Sequence, residues 1–177
     1  RPNLWAQCWT GNRFLVVRPR AVASPEGVPF FYSRLLGDND AMRGHAYYVP
    51  LQLRNRSRLD PKDEASLFDT LGGKPPEDRP VANLSKSARL YLKELSLENP
   101  DLRIEAAESV WMHVLAIGYS SRYTKENEDG IRQDWPRIPL PDAKKALVAS
   151  AELGRGVATL LDTESPVVGV TSGKVRV

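Results

Sequence analysis

Ile131-Arg132-Gln133-Asp134-Trp135-Pro136-Arg137-Ile138-Pro139-Leu140-Pro141-Asp142 is the stretch on which the reading of this chain turns. Its three prolines within six residues hold the path extended, because the residue before a proline is driven out of the α region. Asp142 then stands where a helix cap belongs. Ala143, Leu147, Ala151, Gly154, Val157 and Leu161 recur at helical spacing after it, which predicts a long helix over 143–162. That face is apolar but mostly small, so a partner helix can approach it closely. An extended strap feeding a long terminal helix is the first structural expectation.

Upstream of the strap the pattern is also helical. Ser85 caps a predicted helix to about Leu95, with Ala88, Leu92 and Leu95 on one face. A second helix starts near Arg103 and aligns Ile104, Ala107, Trp111, Val114, Leu115 and Gly118, the best core face in the chain. A short polar helix is expected over 121–129, with Gly130 as its stop.

The N-terminal part alternates β-prone runs with turns. Arg13-Phe14-Leu15-Val16-Val17-Arg18 is ended by Pro19, and Pro29-Phe30-Phe31-Tyr32 is the second run. His45-Ala46-Tyr47-Tyr48-Val49-Pro50-Leu51-Gln52-Leu53-Arg54 is the third, and Pro50 marks it as an edge strand or a bulge. A short helix is expected over 61–71, stopped by Gly72-Gly73, and the β-prone run 167–170 reads as either a last strand or a disordered tail. The expected fold class is α+β: an N-terminal mixed or antiparallel sheet, then C-terminal helices ending in the long helix behind the Pro-rich segment. Residues 1–177 read as a single domain with a basic β-rich part (1–58), a connection (59–82), a helical part (83–162) and a tail (163–177).

Composition narrows the function classes. Apolar residues make up 41% and charged residues 27%, as in ordinary water-soluble domains. Arg18, His113 and Tyr119 interrupt the longest apolar runs, well short of the ~18 residues that span a bilayer. No signal peptide is visible, so a cytoplasmic location and no membrane partner are expected. Cys8 is the single cysteine, which excludes an internal disulfide and a cysteine zinc cluster. The chain starts at Arg1 rather than Met and is expected to be a piece of a larger enzyme.

Charge is distributed unevenly. Up to residue 58 there are nine arginines, at 1, 13, 18, 20, 34, 43, 54, 56 and 58, against the acids Glu26, Asp38 and Asp40. That segment carries +6 and the remainder −3 of the net +3. Arginine presents a planar fork that suits phosphates and the guanine edge. A polyanion partner fits this pattern; so does a solvated arginine-rich surface.

No catalytic set assembles. Gly72-Gly73-Lys74 is followed by Pro75 and fails as a phosphate-binding loop. Gly154-Arg155-Gly156 falls inside a predicted helix, where packing explains it better than a dinucleotide fingerprint. No Asn/Asp-Pro-Pro-aromatic run and no Glu-x-Lys nuclease pair occurs. His113 lies on the flank of the core helix and reads as structural; His45 reads equally as a loop residue or a phosphate contact. No cofactor is expected in this chain.

What remains is basic and aromatic. Arg43, His45, Tyr47 and Tyr48 surround the third strand. Arg54, Arg56 and Arg58 follow at alternate positions, which places them on one face if the chain stays extended. With Arg18 and Arg20 they form the first set of candidate DNA contacts. Arg122, Tyr123, Lys125, Arg132 and Gln133 form the second.

The octet Asp134-Trp135-Pro136-Arg137-Ile138-Pro139-Leu140-Pro141 with its following helix resembles the C-terminal specificity domain of type ISP restriction–modification enzymes. Tyr48-Val49-Pro50-Leu51-Gln52-Leu53, Asn83-Leu84-Ser85 with its helix, and the helix over 105–119 leading into Ser121-Arg122-Tyr123 are similar to the same family, in the same order. Together they cover roughly residues 43–162. The Ile-Pro-Leu-Pro element also resembles the end of target-recognition domains in type I specificity subunits. The resemblance implies sequence-specific binding of double-stranded DNA for a bacterial adenine-specific methyltransferase. It implies S-adenosylmethionine as the parent's cofactor and the methyltransferase domain of the same chain as a partner. Ile138-Pro139-Leu140-Pro141 is then expected to anchor the long helix rather than touch DNA. Two other readings stay open: a module that docks enzyme domains without contacting bases, and an enzyme whose pocket the sequence does not reveal.

Overall fold

The computed structural model describes residues 4–20, 27–54, 80–162 and 166–167. The fold is α+β. Strands β1 (Phe14–Val17), β2 (Phe30–Ser33) and β3 (Tyr47–Pro50) form an antiparallel sheet in the order β2-β1-β3. The short β4 (Gln52–Leu53) and β5 (Val81–Ala82) pair antiparallel beside it. Among the described residues five α-helices follow: α1 (Lys86–Glu94), α2 (Ile104–Gly118), α3 (Ser121–Glu126), α4 (Glu128–Gln133) and α5 (Lys144–Leu161).

β1 is central and buried along its whole length, which is why its sequence reads as an unbroken apolar run rather than an alternation. Leu15 pairs with Tyr32 and Val49, and Val17 with Phe30 and Tyr47. This face joins Ala107, Trp111, Met112 and Leu115 of α2 and Ala151 of α5 in one core. Phe14 and Val16 face the other way, where Phe14 meets the Tyr48 ring edge-on at 6.2 Å.

Pro50 ends β3 at the sheet edge, where its missing N–H costs no ladder bond. Leu51 is the pivot between the two sheets: its N–H donates to Arg13 O at 2.8 Å and its carbonyl accepts from Asn83 N–H at 2.9 Å. Two buried polar side chains complete this region. Asn12 Nδ2 donates to Gln7 O (2.8 Å) and Gln52 O (3.1 Å), and its Oδ1 accepts from Gln52 N–H (3.1 Å). Gln7 Oε1 accepts from Arg54 N–H at 2.8 Å. These side chains stand in for backbone partners that such short strands cannot supply.

α1 begins as expected, with Ser85 Oγ accepting from Ala88 N–H at 3.2 Å. Two helix boundaries differ from the sequence reading. α5 starts at Lys144 with Ala143 as N-cap and no side-chain cap bond; Asp142 lies one residue too early to reach the first turn. The polar segment forms two helices instead of one, with Gly130 inside the second. Asn127 makes the break, because its Nδ2 and its N–H both donate to Tyr123 O. The expected helix at 61–71 lies outside the described residues, as does most of the β-prone run at 167–170.

α5 lies against α2 through Gly154, where an added Cβ would overlap the Met112 carbonyl. The glycine is there for close approach of two backbones, as its helical position suggested.

Burial pushes the Tyr32 hydroxyl up to about 12, reinforced by Glu108 and Asp162 and opposed by Arg13 and Arg34. A group whose pKa is raised on folding contributes stability that is complete below its unfolded value, ~10, and lost as pH climbs through the folded value. Stability should therefore fall between about pH 10 and 12, and Tyr32→Phe should flatten that fall. Urea midpoints measured at pH 8 and pH 11 check this; an unchanged difference in the variant would refute it.

Candidate functional site

The Pro-rich strap (residues 134–141) can accept hydrogen bonds at every carbonyl but lacks three N–H donors. It is held by side chains from three different helices. Tyr91 of α1 donates to Pro141 O at 2.8 Å, His113 of α2 to Pro139 O at 2.8 Å, and Tyr123 of α3 to Arg137 O at 3.0 Å. A carbonyl only accepts, so Nε2 of His113 carries the proton. Its Nδ1 lies 2.8 Å from Ser150 Oγ, which ties the strap to α5 as well. Burial raises the pKa of Tyr91 and Tyr123, with Asp142 adding to the first, so both remain donors at neutral pH. His113 is thus a structural residue, buried at 3% exposure.

At its N-terminal end the strap reaches the sheet. Trp135 and Tyr47 meet edge-to-face with ring centroids 5.1 Å apart, and both rings are exposed. This contact joins the arginine-rich third to the proline-rich octet, two regions far apart in sequence. On the sheet side, His45 is two residues from Tyr47, Arg43 is four, and Val17, opposite Tyr47, leads to Arg20. On the strap side, Arg132, Gln133 and Arg137 lie within three residues of Trp135. Arg20, Arg43, His45, Arg132, Gln133 and Arg137 are all exposed.

The loop carrying Arg43 and His45 is rigidly built. Gly44 (φ +85°) and His45 (φ +78°) are both left-handed, a conformation costing about 1 kcal/mol or more at a non-glycine residue. It is held by Ala46 N–H to Asn39 O at 2.6 Å, Asp40 N–H to Asp38 Oδ1 at 2.7 Å and Tyr48 O–H to Asp38 O at 3.2 Å. Burial and Asp38 raise the Tyr48 pKa, partly offset by the Gly37 backbone. Asn39 Nδ2 lies 2.8 Å from Nδ1 of His45; with the amide donating, Nε2–H points outward.

Other predicted contacts occupy different places. Arg18 is buried at 4% exposure, with Nη2 donating to Gly27 O at 2.7 Å. Tyr123 is spent on the strap. Arg54 is half-buried with its guanidinium 4.3 Å from the Trp9 ring centroid, and its Nε is buried without a hydrogen-bond partner among the described residues. Arg122 and Lys125 are exposed on α3, with Arg122 Nε donating to Glu126 at 2.8 Å. Arg56 and Arg58 lie outside the described residues. Trp135 and Arg137 were absent from the sequence-derived contacts. Their signal was an aromatic and an arginine flanking the first proline, in an octet that served only to carry the family resemblance.

Among the described residues, no His, Cys, Asp or Glu group is placed to hold a metal and no helix is long and apolar enough to cross a membrane. No curated protein and no solved structure gives a significant match to this chain. A family model, the type ISP C-terminal specificity domain, matches residues 1–171 of the 177. The match runs through the arginine-rich third as well as the 43–162 stretch on which the resemblance rested. The chain belongs to the type ISP C-terminal specificity domain family.

Proposed function

We propose that this single domain selects the target of a restriction–modification adenine methyltransferase by binding double-stranded DNA over the face around Tyr47 and Trp135. The Tyr47–Trp135 contact carries the reading, because it joins two segments, 20–45 and 132–137, that each carry exposed cations close in sequence to the aromatic pair. Phosphate contacts set register and a few side chains read base edges. Arg43, on a preformed loop, and Gln133 are the side chains whose chemistry suits guanine and adenine edges. The parent enzyme supplies S-adenosylmethionine chemistry in a cytoplasmic setting.

The docking reading is supported by α5. Ala146, Ala149, Leu153, Gly156 and Leu160 follow a three-four spacing, and all face outward. A helix of the parent's methyltransferase domain is their natural cover, and this role is compatible with DNA binding elsewhere.

Fluorescence anisotropy with labelled duplexes tests the proposal. Arg43→Ala and Trp135→Ala are each expected to weaken duplex binding about 5- to 50-fold, on the scale of one lost base contact. Absence of duplex binding by the wild-type chain at low salt would leave docking as the role.

A further inference from the structure

An open groove of about 520 Å³, lined by neither Tyr47 nor Trp135, separates α3 from the proline-rich segment. Its floor is apolar and fixed: Ile117, Ile138 and the buried Tyr123, whose hydroxyl holds Arg137 O. Its rims carry Arg122 on one side and Arg137 on the other, with side chains 85% and 90% exposed. Ser120 and Asn127 also line it, but their side chains are committed to the turns that begin and end α3.

Two guanidinium groups thus border one groove over a rigid floor. Each is parked on an exposed carboxylate: Arg122 on Glu126 at 2.8 Å and Arg137 on Asp134 at 3.3 Å. Exposed pairs of this kind are worth little, so a stronger anion displaces the carboxylate at small cost. Glu126 itself lines the groove and repels any anion there.

Resting on the DNA-binding reading above, we infer that this groove seats the sugar–phosphate backbone of the bound duplex, with Arg122 and Arg137 as positioning residues and Glu126 as a built-in brake. The groove contributes register and affinity, not sequence choice, because phosphates look alike at every base pair. Arg137 connects the two surfaces: it belongs to the strap whose Trp135 faces the sheet, so backbone seating and base reading share one rigid element.

The test uses the whole 177-residue chain, titrated over a salt series with a target duplex, the one that the wild type enriches from a randomised duplex pool, and with a scrambled duplex of the same composition. Arg122→Gln and Arg137→Gln are each expected to weaken both duplexes about 3- to 10-fold. Each should also lower the slope of log K against log salt by up to about 0.9, one phosphate's share. The ratio between target and scrambled duplex stays unchanged. Glu126→Gln tightens both about 3-fold at low salt, a gain that misfolding cannot mimic. If the wild type binds and all three variants match it in affinity and slope, the groove inference falls alone. A loss confined to the target duplex also overturns it. If the wild type binds no duplex, the DNA reading falls and takes the groove with it.

Discussion

Gly154→Ala is expected to destabilise the domain by about 3 kcal/mol, although alanine is the better helix former. The added methyl would overlap the backbone carbonyl of Met112, and a carbonyl inside a helix cannot move aside as a side-chain tip can. α5 must lift off α2 to accommodate it. Separating these helices disturbs the core that joins Leu115 and Ala151 to Tyr32 on the sheet. For a chain of this length the melting temperature should fall by about 6–12 °C. Gly156, two residues on, has open space where its Cβ would be. Gly156→Ala should therefore stabilise by up to ~1 kcal/mol through helix propensity alone. Thermal unfolding followed by circular dichroism checks the opposite signs. A Gly154→Ala protein as stable as wild type would mean that the two helices do not pack at this distance.

The second large effect is expected at His113. His113→Leu keeps the bulk but removes the buried imidazole that partners the Pro139 carbonyl and the half-buried Ser150 hydroxyl. A buried polar group left without its partner costs about 1–3 kcal/mol, and because both groups here are partly open to water a loss of about 1–3 kcal/mol is expected from the pair together. The effect should be local before it is global. Amides of Trp135, Arg137, Ile138 and Leu140 should exchange hydrogen faster in the variant, while those of β1 should speed up only in proportion to the loss of overall stability. Duplex binding should weaken as well, since the strap would no longer hold Trp135 against Tyr47. Equal acceleration across the chain would show His113 to be an ordinary core residue with no specific hold on the strap.

Sequence reading located most of the architecture where one-dimensional periodicity reports three-dimensional burial. α2 is the clearest case: the spacing of Ile104, Ala107, Trp111 and Leu115 follows directly from one buried face. β1 was legible for a different reason: buried along its whole length, it shows as an unbroken β-prone apolar run ended by Pro19. The α3–α4 break was not, because it depends on Asn127 turning its amide back to Tyr123, a local choice that a polar run does not disclose. β5 is two residues long and exists through its partner Gln52–Leu53, thirty residues upstream in sequence; no window of sequence carries that. The 3-10 turn at Trp5–Gln7 escaped for a like reason.

The candidate site was legible in parts. The arginine excess and the proline octet were each visible, but their contact was not, since nothing local links Tyr47 to Trp135. Alternation singled out Arg54 as a surface residue. The structure instead lays it against Trp9, beyond the end of β4. Arg18 was counted by charge, and its burial, with Nη2 donating to Gly27 O, depends on a tertiary contact that composition does not report.

The strap's fastening has a consequence for how such a domain can change. Tyr91, His113 and Tyr123 grip main-chain oxygens, which every amino acid possesses. The grip is indifferent to which side chains the strap displays. Trp135 and Arg137 can therefore be exchanged without loosening the frame that presents them. A library varied at these two positions, on an otherwise constant chain, should yield folded proteins at high frequency, so that the displayed surface can change without first repairing the scaffold.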